Sequence, residues 1–423
     1  MKGPAILADV LVLDLTISVA GPLAAAMLGD AGARVIKIER VTGEVSNEWD
    51  SVVHGMSSVY AWNARNKESV ALDLRDSRAL EAVRSIARKA DVVIENFAPG
   101  TVSRLGLAYA DVARDNPGVV YAHISGYGQS GPHRDEKAYD LLVQGESGIL
   151  ASNGTPEEMC KVSLSIADIA SATYANQAIL LALYGRKASG VGQEIDIAML
   201  HSAVSWLGYF PYFYWFRKEL PVRTGAKHFL LTPYGPYRCS DDKWINIAVL
   251  SKAAWETFCV LGLERPELLT DERYTTNEAR VAHRRELEEL VAQIMLGQSQ
   301  QFWWDRLHAI DIPCGKVRDL AEVLSHPQLV HDGAFIEANS LRGPIPAIRS
   351  PINFSNAAMR HDSVPVPAQH TRAILGEFGC EAALIDAMLA DGAAREAPEM
   401  RASRSESQTS KSHRAETAGG SVS

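Results

Sequence analysis

Residues 10–40 read VLVLDLTISVAGPLAAAMLGDAGARVIKIER, and this stretch decides the fold. VLVLDL is a short aliphatic run with β-branched valines, and TISVAGP has turn chemistry. LAAAMLGDAGA has helical composition and ends in glycine, and RVIKIER returns to a strand pattern. Strand, turn, helix and strand in this order make a βαβ unit, whose strands lie parallel with a right-handed crossover.

The pattern recurs. SVALDL (69–74), a helical stretch from Ser77 to Lys89 and DVVIENF (91–97) make a second pass, and VVYAHISGYG (119–128) adds a strand and a turn. After Gly190, QEIDIAML is one more strand leading into a helix. Strands alternating with helices predict an α/β fold built on a Rossmann-like, doubly wound parallel sheet. The glycines do not fall as GxGxxG: the first turn is SVAGP, and Gly29 and Gly32 sit at the end of the helix. A dinucleotide dehydrogenase is therefore poorly supported.

From about Thr224 the texture changes. PYGPYRCSDDKWINIAVL (233–250) predicts two antiparallel strands around a turn at Ser240–Lys243, followed by helical stretches at Lys252–Leu261, Asn277–Met295 and Ser299–Ile310. This predicts a large domain over 1–215 and 325–392 and a smaller α+β domain over 224–320. GKVRDLAEVLSHPQL leads the chain back between them. Residues 396–423 are rich in Ser, Thr, Arg, Glu and Gly and predict a disordered tail.

Of 423 residues, 47% are hydrophobic and 22% charged, an ordinary globular profile. A net charge of −9 argues against nucleic acid as the main partner while leaving room for a local basic groove. Cys160, Cys239, Cys259, Cys314 and Cys380 form no CxxC pair, which suits neither zinc nor a disulfide framework and fits a reducing compartment. The start, MKGPAILADVLVLDL, carries Asp9 and Asp14 and makes a poor secretory or transit peptide. WLGYFPYFYWF (206–216) is too short and too rich in Pro and Tyr to span a bilayer; it reads as filler for a core or a subunit interface, or as the wall of an acyl pocket. These features predict a cytoplasmic protein, with the mitochondrial matrix as an alternative, and no membrane partner.

In KVSLSIADIASATY (161–174), Asp168 stands where an apolar stretch gives way to a helical pattern running from Ile169 to near Gly185. Two readings stand on local sequence. Asp168 is a helix cap, or it is a carboxylate kept ionised by unpaired helix N–H groups and able to attack an activated carbonyl. Four loops following strands share a ligand-binding character. They are Thr16–Pro22, Ile38–Arg40, Glu95–Gly100 with Arg104 one turn later, and Ser125–Gly128 leading to Lys137–Asp140. Arg40, Arg104 and Lys137 suit phosphates, and Phe97 and Tyr139 suit an adenine or a pantetheine chain. Each residue alone also reads as an ordinary surface side chain.

In order, VLDLT…AGP, RVIKIER, NKESVALDL, ADVVIENFAPG, ISGYGQSGP, KAYDLLVQ and the Asp168 segment resemble the family III CoA-transferases over about residues 8–380. That family includes formyl-CoA transferase and the carnitine and bile-acid CoA-transferase type. The resemblance implies that Asp168 is the nucleophile. It implies CoA contacts at Val19, Ala20, Arg40, Leu72 to Arg75, Asn96, Phe97, Ala98, Arg104, Lys137, Tyr139 and Asp140. Formyl-CoA transferase has a glutamine where this chain has Val19, and its glycine-rich lid has no counterpart run here.

The implied reaction moves CoA from an acyl-CoA donor to a carboxylic acid through an aspartyl-CoA thioester. The CoA thioester is then a substrate, with no tightly bound cofactor and no metal. Oxyanion donors would come from QGESG (144–148), which otherwise reads as a plain turn, or from the start of the Asp168 helix. KAYDLLVQGESG, ASNGTPE and RTGAKHFLLTPYGPYR resemble members acting on small dicarboxylates such as succinate, glutarate, mesaconate, itaconate or malate. Arg223 and His228 are the candidates for the second carboxylate, against a hinge salt bridge for Arg223 and a buried hydrogen-bonded histidine for His228. Two rivals share the fold. In an α-methylacyl-CoA racemase a histidine precedes the aspartate of the fourth loop, where this chain has Tyr139 before Asp140; the other rival is a non-catalytic acyl-CoA binding protein. The resemblance also implies a homodimer of interlocked rings.

Overall fold

The computed structural model describes residues 3–398. Its central sheet has seven strands: β1 (Leu11–Asp14), β2 (Arg34–Glu39), β3 (Lys67–Leu72), β4 (Val92–Glu95), β5 (Val120–Ser125), β6 (Gln193–Ala198) and a short β12 (Ala394–Arg395). Their order is β12-β3-β2-β1-β4-β5-β6. All pairings are parallel except that of β12 with β3. The inner strands are aliphatic on both faces because both faces are covered by helices. One face is packed by Ala79, Val83, Ile86, Ile374, Leu375 and Met388. The other is packed by α1 (Ala20–Asp30) and α4 (Ile166–Ser189); α2 (Ser77–Ala87) belongs to the first face, and α3 (Asp140–Glu146) precedes α4.

Helix α1 is buried nearly all round, as expected for a helix pressed between a sheet and a second helix. Its run Ala24–Ala26 keeps the approach close. A leucine at Ala25 would overpack the site by about 1–3 kcal/mol. Helix α4 is long and apolar enough to cross a membrane, but half of its apolar window is buried in this fold and its first turn carries a carboxylate. It is a core helix here. The pattern stop expected near Gly185 falls inside the helix, which ends at Gly190 in the left-handed conformation glycine favours.

A second, antiparallel sheet joins β7 (Tyr234–Arg238), β8 (Trp244–Ala248) and β9 (Cys314–Lys316). Trp255, Phe258, Leu287 and Leu307 pack on it. A hairpin of β10 (Phe335–Ala338) and β11 (Ile345–Ile348) has no counterpart in the sequence reading. Its Ala338 and Ile345 share a core with Met56, Tyr60, Val364 and Val366, clamping the segment between β2 and β3. The chain then re-enters the first sheet as β12, and the Ala397 N–H still bonds Ala368 O. The expected disordered tail starts in described, bonded chain at 396; from 399 on it lies outside the described residues. The aromatic segment is largely helical as α5 (Phe210–Arg217) and is not core: Phe216 is 82% exposed, and Tyr212, Tyr214 and Trp215 are exposed as well.

Candidate active site

Ligands of open parallel sheets bind beyond the carboxyl ends of the strands, where the strand order reverses. Here that point lies between β1 and β4. The loop after β1 and the loop after β4 meet across it through one side chain. The Asn96 amide accepts from the Ile17 N–H and donates to Ile17 O, each at 2.8 Å. Asn96 is thus engaged with the chain itself. Gly21 follows because a Cβ there would sit 2.3 Å from the Thr16 side chain.

Asp168 is the third residue of α4, not its cap; the N-cap is Ser165, whose side chain makes no capping bond. The carboxylate is 9% exposed. It faces the start of α1, whose N-cap Val19 also supplies no side-chain acceptor. The Ala20 N–H at that helix start favours the ionised carboxylate, so Asp168 answers to the positive end of a neighbouring helix. The expectation that helix N–H groups keep it in the ordinary ionised range is overturned. Burial pushes its pKa up to about 7, Asp140 adds to the rise, and the Ala20 N–H opposes both.

Asp140 is the group that does cap α4. Its Oδ1 accepts from the Ala167 N–H at 2.9 Å, and its Oδ2 accepts from Gln144 Nε2 at 2.8 Å. Gln144 Oε1 in turn accepts from the Val162 N–H. QGESG is not a plain turn. Gln144 to Glu146 continue α3, and the Ser147 and Gly148 N–H groups bond Val143 O and Gly145 O. These donors are occupied, which leaves the start of α1 as the donor set facing Asp168.

A cleft of about 520 Å³ opens on the β1–β2–β3 side. It brings together Arg40, Leu72, Arg75 and Phe97, with Leu15, Ile38 and Leu105 as apolar walls. Arg75 also pairs with Asp73 at its rim. Arg104 lies one turn beyond, exposed, with its guanidinium on Thr101 Oγ1. Val19 and Ala20 are buried beside Asp168, whereas Ala98, Lys137 and the 64% exposed Tyr139 stand at the surface.

Arg223 and His228 differ. The Arg223 guanidinium donates to Thr155 O, Ala151 O and Pro156 O and so ties the linker to that turn. His228 stacks on Tyr234, and its Nδ1 accepts from the Leu230 N–H, which places the ring proton on Nε2. Burial, then Arg284, holds its pKa below the ordinary value, so the ring is neutral. It lines a pocket of about 360 Å³ with Ile166, Tyr209 and Phe210.

The sequence reading missed Lys37, Glu44, Asn63 and Lys67, all buried beneath the Thr16–Pro22 loop. The available signal was a lysine in each of two otherwise apolar strands of a sheet covered on both faces.

Residues 7–371 match CoA-transferase family III. The chain belongs to the family III CoA-transferases. It is 31% identical to the human succinyl-CoA:glutarate CoA-transferase over 381 residues, covering 88% of this chain and 85% of that protein. It is 32% identical to the succinate–glutarate CoA-transferase of Agrobacterium fabrum, covering 88% and 95%. A CaiB/BaiF family protein from Brucella suis superposes with a TM-score of 0.80 at 32% identity over 89% of this chain and all of that one. The protein is thus an enzyme that uses CoA thioesters as substrates, with no tightly bound cofactor in its family chemistry.

Proposed function

We propose that this transferase moves CoA from succinyl-CoA to a small dicarboxylic acid, glutarate, itaconate or mesaconate, through an aspartyl-CoA thioester on Asp168. The carrying observation is a carboxylate that is buried, lies on a helix N-terminus and is held half-ionised near neutrality. Poor hydration leaves its ionised form a stronger nucleophile than a surface aspartate.

The ionised carboxylate attacks the succinyl thioester carbonyl. The C–S bond breaks, leaving an aspartyl–succinyl anhydride and CoA thiolate. The thiolate attacks the aspartyl carbonyl, and succinate leaves with the electron pair of the C–O bond. The acceptor carboxylate then attacks the aspartyl-CoA carbonyl and regenerates an anhydride and thiolate. Attack of the thiolate on the acceptor carbonyl gives the new acyl-CoA and frees Asp168. The Ala20 N–H stands where negative charge gathers at the Asp168 oxygens. Burial beside α1 keeps water from the anhydride.

Arg40 and Arg75 at the cleft mouth support nucleotide phosphates, with Phe97 and Leu72 against the adenine or pantetheine. For the acceptor's far carboxylate the proposal retains His228, whose Nε2–H is a neutral donor; Arg223 is committed to backbone carbonyls. The exposed aromatic face of α5, with Leu181 and Tyr184 exposed on α4, supports a homodimer of interlocked rings. Five free cysteines support a reducing compartment such as the cytoplasm.

The test is mass spectrometry of the enzyme quenched during turnover with succinyl-CoA and treated with hydroxylamine or borohydride. Modification confined to Asp168, and loss of transfer in Asp168→Ala, are expected. An unmodified enzyme that still exchanges thioesters refutes the proposal.

A further inference from the structure

Beneath the Thr16–Pro22 loop lies a buried group of charges drawn from separate elements: Asp14 of β1, Lys37 and Glu39 of β2, Glu44, and Lys67 of β3. Lys67 pairs with Asp14 at 2.8 Å, and Lys37 stands 3.7 Å from Asp14 and 3.5 Å from Glu44. Burial opposes the charge on Lys37, yet Asp14, Glu44 and Glu39 outweigh it and hold its pKa above the ordinary lysine value. A buried ion cluster is a weak source of net stability, because desolvation offsets most of the attraction. Apolar side chains of similar volume would fill the space as well.

What apolar side chains could not do is bond the loop. The Ser18 N–H donates to Glu44 Oε1 at 2.9 Å, and Ser18 O accepts from Asn63 Nδ2 at 3.4 Å. Lys37 Nζ donates to Thr16 O, the Thr16 N–H donates to Asp14 Oδ1, and Lys67 Nζ donates to Pro22 O at 2.7 Å. Ser18 itself adopts a φ of 69°, a left-handed conformation that a serine holds only under outside constraint. Two residues later stands the Ala20 N–H, which favours the ionised form of Asp168.

We propose that Glu44 is a positioning residue for the transfer reaction: braced by Lys37, it holds Ser18 in the left-handed turn that aims the Ala20 N–H at Asp168. The inference rests on the reading of Asp168 as the nucleophile. Glu44 touches neither substrate nor Asp168; it acts through the backbone.

Two variants test it. Glu44→Gln keeps the size and removes the charge. Glu44→Asp keeps the partner charge for Lys37 but shortens the arm to Ser18, and so stays informative if the first does not fold. Both are expected to lower kcat by about 10- to 100-fold, with KM for succinyl-CoA within about threefold of wild type. The acid limb of the kcat–pH profile should move upward in both, because the Ala20 N–H that favours the ionised form of Asp168 turns away from it. Acting only through space, loss of the Glu44 charge would move the limb of Glu44→Gln downward. Asp140, the other charged group facing Asp168, is untouched by either variant. A downward or unmoved limb, or kcat within about twofold of wild type in the folded variants, overturns the proposal. Asp168→Ala is assayed in parallel: transfer surviving there refutes the nucleophile itself, whatever Glu44 does.

Discussion

Holding Asp168 ionised inside the protein costs stability, and the cost can be measured. In the unfolded chain an aspartate titrates near 3.8; in the folded protein this one titrates near 7. The folded state therefore binds the proton more tightly. Its contribution to stability is fully present below the unfolded value and is lost as pH rises through the folded one. The difference amounts to about 4 kcal/mol at pH 8 and about 2 kcal/mol at pH 5.5, and disappears below about pH 4. Asp168→Asn removes the ionisation but keeps an oxygen for the Ala20 N–H. With an unfolding entropy of about 2.1 cal/mol/K per residue, a chain of 423 residues converts about 4 kcal/mol into roughly 4–5 °C. Differential scanning calorimetry at matched protein concentration should show Asp168→Asn melting that much higher than wild type at pH 8, about half as much higher at pH 5.5, and inactive at both. A variant that melts lower, or by a margin independent of pH, would refute the claim that burial strains this carboxylate.

Asp140→Asn keeps the Oδ1 contact to Ala167 but removes the like charge facing Asp168; the acid limb of kcat/KM should fall by about one pH unit, and a limb that stays or rises contradicts the pairing. Phe97→Ala should raise KM for succinyl-CoA about tenfold, equivalent to about 1.4 kcal/mol of lost stacking, and leave KM for glutarate unchanged in steady-state assays. Arg223→Ala should lower the thermal midpoint through three lost bonds to backbone carbonyls and shift KM for both substrates little; a selective rise in KM for the dicarboxylate would restore it as an acceptor ligand.

The strands β1 to β5 were legible because each is a short aliphatic run between turns, and a strand covered on both faces has no other way to read. Asp168 was legible as a position but not as an environment. Its raised pKa comes from burial and from Asp140, 28 residues upstream, against the opposing N-terminus of α1, none of which local pattern can place beside it. The start of α4 was read three residues late because Ser165 offers no capping box. The β10–β11 hairpin was invisible for a similar reason: its core partners Met56 and Tyr60 lie nearly 300 residues away, and IPAI hardly looks like a strand. Glu44 sits in a polar loop, and only the fold shows that Lys37 and Ser18 converge on it.

The return of the chain as β12 has a consequence for synthesis. Val83, Ile86 and Tyr121 are covered in part by Ile374, Leu375 and Met388. The first five strands emerge long before their lid exists. Roughly 270 residues separate Ser125 from Ala394, and at 5–20 residues per second the ribosome needs about 13–54 s to supply them. Through that interval the part of this face that α2 does not cover stands bare, so the nascent enzyme should be a client of holding chaperones, and clones shortened before Thr371 should accumulate in inclusion bodies.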